Sequence, residues 1–516
     1  MNPTFPNYFN MVDYFLDDRI KEGRGDHVAV IDDCGRYSYR DIAKLSGQVA
    51  SALAARGIGP EDRVLLALFD SVEFVATFFG VIRLGAVVTM VNPELPDPDY
   101  DYYLDYTRAR ALVIEAPLAD RIAPAIRNAK LLRAVIRCRG GTIDTWENSV
   151  LNETPLEQNY PTSKDDPAVW LFTSGSTGKP LGAIHLHHDF PYNTECYAKQ
   201  ILGTRADDVT LSVPKLFFGY ATGNNLLFPF AVGATAVLFA DRATPERIGE
   251  LCARHRGTVL TCVPTMINKM VQHAETNPDS IAQLASLRVC TSAGEALPVE
   301  LYQRFKSKYG VEILDGIGSA ELFHVYISNR LDDVVPGSLG RVVPGYEARI
   351  VRSDGSEADS GEIGTLWVKG DSAAIGYFQA HEKSKSVLRG DWVVSSDLFR
   401  KEENGHYYYA GRADDMLKVG GIFVSPLEVE SCLLIDPRVL EAAVVGYDEG
   451  DGLTKPLAFV VLKSGAGTAK LAEEMIAQVR QKLAHYKAPR RIEFVAELPR
   501  SDRGKILRRE LRKASK

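Results

Sequence analysis

Apolar and polar positions switch between two periods along the first part of this chain. Ser46 to Arg56 places apolar residues at helical spacing and stops at Gly57, and Asp62 to Leu68 is a short strand-like run. Val72 to Leu84 is again helical, closed by Gly85, and Ala86 to Val91 is again strand-like. Such alternation predicts an α/β fold with layered, parallel strands. After about residue 335 the texture changes. Gly340 to Val351, Gly364 to Lys369 and His406 to Ala410 are short strand-like runs between Gly, Asp and Ser turns, which predicts a small β-rich subdomain over about 335–411. A charged, glycine-bounded stretch, 411–421, marks a boundary. Beyond it come a helix start at Ser425-Pro426, strands at Ala442 to Gly446 and Ala458 to Leu462, a helix from Leu471 to Leu483 and a basic tail. The predicted organisation is a large N-terminal domain, 1–411, and a small C-terminal α/β domain, 415–516.

Composition narrows the function classes. The chain has 516 residues, 45% of them hydrophobic and 25% charged, as in ordinary globular proteins. A net charge of -7 argues against nucleic acid as a partner. Seven cysteines without a CxxC pair form neither a disulfide framework nor a zinc site and fit a reducing compartment. The acidic N-terminal stretch is unlike a signal peptide, and no apolar run reaches the length of a membrane span. A cytoplasmic location, as monomer or homodimer and away from membranes, is expected.

The apolar run Ala168 to Phe172 has the length of a buried strand and leads into Thr173, Ser174, Gly175, Ser176, Thr177, Gly178 and Lys179. Glycines admit close backbone approach, and amides, hydroxyls and an ammonium together cradle phosphate oxygens. The spacing excludes the P-loop of NTPases. Only Ser176 and Thr177 separate the two glycines, and Pro180 stands where that motif needs a hydroxyl. Taken alone, the stretch is equally a flexible surface turn.

Seven polar motifs follow one another: TSGSTGKPLGA (173–183), PKLFFGYATGN (214–224), SAGEALP (292–298), DGIGSAE (315–321), SSDLFR (395–400), GRADDMLKVGG (411–421) and PRSDRGKILRREL (499–511). In order and spacing they resemble the adenylate-forming superfamily of acyl-CoA ligases, luciferases and peptide-synthetase adenylation domains, over nearly the whole chain. GRGDHVAVID, KLFFGY and GIGSAELFHVYISNR resemble benzoate-CoA ligases in particular. The resemblance implies two half-reactions: an aryl carboxylate and ATP-Mg2+ give an acyl-adenylate and pyrophosphate, and coenzyme A then displaces AMP.

It also implies roles. The 173–179 stretch would hold the β- and γ-phosphates, and Glu321 would take Mg2+, a cation that prefers hard oxygen ligands. Asp397 and Arg412 would bind the ribose, and Gly294, Glu295 and Ala296 with Asp315, Gly316, Ile317, Gly318 and Ser319 would enclose adenine. Lys505 would offset the charge of the carboxylate and α-phosphate as they meet. Asp414, within 412–414, would be the hinge about which a mobile C-terminal domain rotates, bringing Lys418 to Gly421 to the site. Gly420 and Gly421 would let the pantetheine arm of coenzyme A pass.

For the acid pocket the resemblance implies Phe218, Gly219, Tyr220, Thr222, Ala293, His324, Val325 and Lys418. Phe217 and Phe218 stand where amino-acid-activating domains carry an aspartate, which favours a small aryl acid over an α-amino acid. Gly219 replaces the alanine typical of benzoate ligases, Ala221-Thr222 replaces Gly-Leu and adds a polar group, and Ala320 replaces a usual threonine. An ortho-substituted benzoate is therefore expected, 2-aminobenzoate first and plain benzoate as the alternative. A separate acyl carrier protein is the alternative acceptor, and a non-catalytic nucleotide sensor the alternative class. His185, His187 and His188 are read as packing rather than as a metal site.

Overall fold

The computed structural model describes residues 2–174, 179–412, 416–419, 422–448, 454–500 and 506–514. Two large mixed sheets dominate the first 340 residues or so. A six-stranded sheet runs, in spatial order, Ala134–Cys138, Ala111–Glu115, Arg63–Ala67, Val87–Met90, Pro167–Ser174 and Pro180–Leu186. Its neighbours are parallel except the last pair, antiparallel hairpin strands that flank the glycine-rich stretch. A nine-stranded sheet runs Arg341–Val342, Val325–Ser328, Ile313–Gly318, Val289–Ser292, Val259–Cys262, Val209–Ser212, Thr235–Val237, Val28–Ile31 and Arg36–Ser38. Its six central strands are parallel and its edges antiparallel. Helices Tyr39–Ala55 and Val72–Arg83 share one apolar core with strands of both sheets. The alternating pattern thus gives the parallel layers expected of it.

Two differences from the sequence pattern have local causes. The first helix begins at Tyr39, two turns before the apolar spacing shows it, because Ser38 and Asp41 form a reciprocal capping box. The run Gly340 to Val351 is two strands, broken at Pro344-Gly345. Gly345 has φ +95°, and a Cβ there would lie 2.5 Å from Cys196 Sγ. Its first half, Arg341–Val342, joins the nine-stranded sheet, and its second, Glu347–Val351, opens an antiparallel sheet with Gly364–Lys369 and Trp392–Lys401. Tyr407–Arg412 pairs with Trp392–Lys401 on its other edge.

Near the C-terminus, Val439–Asp448, Thr454–Leu462 and Arg491–Phe494 form a three-stranded sheet. Helices Pro426–Leu433 and Ala469–Lys482 pack on one of its faces around Val429, Val444, Met475 and Val479. All seven cysteines are free, and six are buried. No helix among the described residues is long and apolar enough to cross a membrane.

Candidate active site

Four adjacent strands of the nine-stranded sheet deliver the predicted residues to one edge. Val209–Ser212, Val259–Cys262, Val289–Ser292 and Ile313–Gly318 are parallel neighbours, so the loops leaving their carboxyl ends gather there. Those loops carry Phe218 to Thr222, Thr265, Ala293 to Ala296 and Ser319 to His324. They are tied together. Tyr220 donates to Thr291 Oγ1 at 2.9 Å, and Glu295 Oε2 accepts from Thr265 Oγ1 at 2.7 Å. The Leu216 N–H donates to buried Asp70 at 2.8 Å, anchoring the start of the pocket loop.

The predicted adenine segments have a strict backbone. Gly294 sits at φ +85°, a conformation glycine adopts without strain. A Cβ on Gly318 would lie 2.5 Å from the His324 carbonyl oxygen, so the strand and its antiparallel return can close only around glycine. Asp315 is buried, and burial pushes its carboxyl up to about 8.

Glu321 lies in a single turn, Ala320–Leu322, held at successive carbonyls. His185 Nε2 donates to the Ala320 oxygen at 2.6 Å, and its Nδ1 lies 2.7 Å from Asp189 Oδ2. Ala374 N donates to the Glu321 oxygen at 2.8 Å. Ser372 Oγ donates to the Leu322 oxygen at 3.0 Å. The Glu321 side chain is held too, for Tyr377 OH donates to Oε1 at 2.6 Å. Among the described residues no hydrogen bond reaches Oε2, which leaves an oxygen of the hard kind that Mg2+ prefers. The other two histidines of the cluster also hold loops, His187 Nδ1 accepting from Met11 N and His188 lying with its two ring nitrogens 3.0 Å from the Lys164 and Asp371 carbonyls.

The chain then turns sharply. His324 N donates to Leu322 O at 2.9 Å across Phe323, which has φ +68° and ψ -59°. This is a γ-turn of the strained hand, which costs a non-glycine residue about 1–3 kcal/mol. Packing of the Phe323 ring on Phe190, centroids 4.5 Å apart, helps hold it there. The turn puts His324 among the rings of Tyr197, Tyr220, Phe228 and Phe323.

His324 is 2% exposed, and burial lowers its pKa to about 3, so the ring is neutral. Its Nε2 lies 3.0 Å from the Tyr220 carbonyl, which can only accept, so Nε2 carries the proton. Nδ1 is therefore a bare acceptor, and it is buried without a partner among the described residues. Val325, the next residue, and Ala293 are both buried. Gly219 opens a short helix, and a Cβ there would lie 3.1 Å from Leu171 Cδ1 and 3.4 Å from the Phe323 oxygen. Thr222 does not offer the free polar group expected of it. It is fully buried, and its hydroxyl proton is used within its own loop, with the Leu216 oxygen 2.6 Å away.

Asp397 and Arg412 face each other across adjacent strands, and Tyr409 OH lies 3.4 Å from Asp397 Oδ1. Tyr326 lies near both predicted acids: burial first, then the charges of Asp397 and Glu321, hold its phenol well above the usual range. Thr173 and Ser174 end the strand entering the hairpin, and Lys179 Nζ lies 5.1 Å over the Tyr102 ring. Lys418 is in the strand Leu417–Val419. Gly175, Ser176, Thr177, Gly178, Asp414, Gly420, Gly421 and Lys505 lie outside the described residues. Sequence reasoning passed over Tyr377 and the Phe323 turn. Gly376-Tyr377 was visible as a pair, but nothing in the sequence joins it to Glu321.

The class of protein follows from this fold and from its relatives. The chain belongs to the AMP-binding enzyme family, which matches residues 17–378, and the family's C-terminal domain matches 428–505. ATP and coenzyme A are the substrates of the CoA ligases in that family. It is 42% identical to the benzoate-CoA ligase of Thauera aromatica, over 99% of this chain and 97% of that one. Among solved structures it is similar to the anthranilate CoA ligase AuaEII in complex with anthranoyl-AMP, with a TM-score of 0.93, 36% identity and coverage of 99% and 98%. It is also similar to a benzoate CoA ligase from Burkholderia xenovorans LB400, with a TM-score of 0.90, 41% identity and coverage of 98% and 100%.

Proposed function

We propose that this protein is an AMP-forming aryl-acid-CoA ligase whose preferred acid is a benzoate carrying a hydrogen-bond donor ortho to the carboxylate, 2-aminobenzoate first. The family and the aryl-acid relatives support the reaction class. The unpartnered Nδ1 of His324 carries the substrate assignment. A buried acceptor without a donor costs about 1–3 kcal/mol, and an ortho amino or hydroxyl group would satisfy it where an unsubstituted ring cannot. Gly219 leaves the room of one methyl for that substituent.

In the first half-reaction the aryl carboxylate attacks the α-phosphorus of ATP and pyrophosphate leaves. The stretch from Thr173 to Lys179 holds the departing phosphates, and Lys505 offsets the charge of the two reacting anions. Asp397 and Arg412 take the ribose, while Gly294 to Ala296 and Asp315 to Ser319 enclose adenine. Glu321 holds Mg2+, which neutralises phosphate charge when bound. Phe218, Tyr220, Ala293 and Val325 wall the ring, with Lys418 at the carboxylate. In the second half-reaction the C-terminal domain, 415–516, turns about Asp414, and Gly420 and Gly421 admit the pantetheine arm. The thiol of coenzyme A attacks the acyl carbon and AMP leaves. Free cysteines fit a reducing, cytoplasmic setting.

The test is a panel of aryl acids with ATP, scored for AMP and for thioester with either coenzyme A or a carrier protein as acceptor. The expected result is 2-aminobenzoyl-CoA formed with the highest kcat/KM. AMP release with no aryl acid of the panel, or thioester on the carrier alone, would contradict it.

A further inference from the structure

We propose that Tyr377 is a positioning residue for the Glu321 carboxylate, fixing which of its oxygens is offered to a divalent cation. This rests on the metal role proposed above for Glu321. Tyr377 comes 56 residues later in the chain, yet its hydroxyl lies 2.6 Å from Oε1. An ionised carboxylate oxygen can only accept, so the phenol is the donor of this bond. An occupied Oε1 fixes the rotation of the carboxylate and leaves Oε2 as the available oxygen. Partners of this kind orient metal ligands without touching the metal.

The same short segment is fastened to the strand that leaves the glycine-rich hairpin. Ile375 N donates to the Ile184 oxygen at 3.0 Å, Ile184 N to the Gly376 oxygen at 2.9 Å, and Phe378 N to the Gly182 oxygen at 3.0 Å. Tyr106 OH donates to the Phe378 oxygen at 2.6 Å and accepts from Gly182 N at 3.2 Å. Tyr102 stacks on Tyr106 at 5.2 Å, donates to the Pro180 oxygen at 2.5 Å and lies beneath Lys179. Tyr377 thus links the carboxylate to the base of the hairpin, setting the distance between two groups that would act on one phosphate chain. Its ring also packs with Ala183 and Ala374, which by itself would make it a core residue. The hydroxyl separates the two roles, because phenylalanine keeps the packing and loses only the donor.

The experiment compares ATP binding with and without Mg2+ by calorimetry, in the absence of any aryl acid, with melting curves as controls. Tyr377→Phe is expected to cut the gain in ATP affinity that Mg2+ gives by roughly tenfold or more. Metal-free ATP affinity should stay as in wild type, and Glu321→Gln should abolish any further effect of Tyr377→Phe. Tyr377→Met, which also lacks the hydroxyl, makes the same measurement should the Phe variant fail to fold. Ser384→Ala removes the oxygen that accepts from Tyr377 N at 2.9 Å, loosening the same segment while keeping the phenol, and should retain the Mg2+ gain. If Glu321→Gln loses the gain and Tyr377→Phe keeps it, the positioning role is overturned. If Ser384→Ala loses as much as Tyr377→Phe, the effect is packing and the role is again overturned. If neither Glu321→Gln nor Tyr377→Phe changes the gain, the metal role of Glu321 falls with it.

Discussion

Glu321 and His324 stand three residues apart and are built in opposite ways. The turn bearing Glu321 is gripped at successive carbonyls and at its side chain, by four residues from two distant parts of the chain, His185 and the segment 372–377. Beyond the strained Phe323 turn, His324 is buried, where Glu321 is half-buried, and has one ring nitrogen without a partner among the described residues. A carboxylate for phosphate and metal chemistry gains from being fixed before any ligand arrives. An acceptor in an acid pocket gains from staying unsatisfied until the right substituent fills it. On the roles proposed for them, a pre-organised phosphate side stands against an acyl side that a ligand completes.

That contrast breaks if the two sides fail to behave differently under mutation. Lys505→Ala should have the largest effect, lowering adenylate formation by roughly 10²–10³-fold or more with every acid alike. Thioester formation from a supplied aryl-adenylate should be largely spared, as single-turnover assays would show. His324→Leu should act on the other side only. It should lower kcat/KM for 2-aminobenzoate by roughly 5- to 150-fold while leaving benzoate and the KM for ATP near wild type. His324→Asn, which can return an acceptor near Nδ1, should recover part of the loss. Gly219→Ala should shift the ratio of kcat/KM towards benzoate by about tenfold, near the low end of what one methyl achieves. Its Cβ would meet a leucine side chain and a carbonyl at ordinary or slightly tight distances, so the fold should tolerate it.

The smallest effect concerns pH. Asp315 has a folded pKa of about 8 against about 3.9 in an unfolded chain. Between those values the folded state holds a proton that the unfolded state has lost. The group's contribution to stability is therefore complete below about pH 4 and gone by about pH 8. Asp315→Asn should flatten the fall in melting temperature between pH 5 and 8. An unchanged slope would remove Asp315 as its source.

Much of this was legible in the chain, and the illegible parts share a cause. Period and spacing announced the parallel layers, and the ordered motifs marked the loops at one sheet edge. The capping box at Ser38 was present in the sequence, but its polar residues lie outside the apolar spacing. The break at Pro344-Gly345 has a local signal, but the close approach of Gly345 to Cys196, about 150 residues earlier, could not be read locally. Tyr377 escaped for the same reason, since it acts through one side-chain atom of a remote turn, whereas His185 holds a remote turn in keeping with its reading as a packing residue. Thr222 misled because a hydroxyl in a pocket motif reads as a ligand contact, whereas here its proton is used within the loop.

The preference for an ortho donor is tested most directly by competition. Wild-type protein with ATP, coenzyme A and equal, subsaturating 2-aminobenzoate and benzoate would be sampled early, and the two thioesters counted by mass spectrometry. The account predicts that 2-aminobenzoyl-CoA dominates. Dominance of benzoyl-CoA would contradict it.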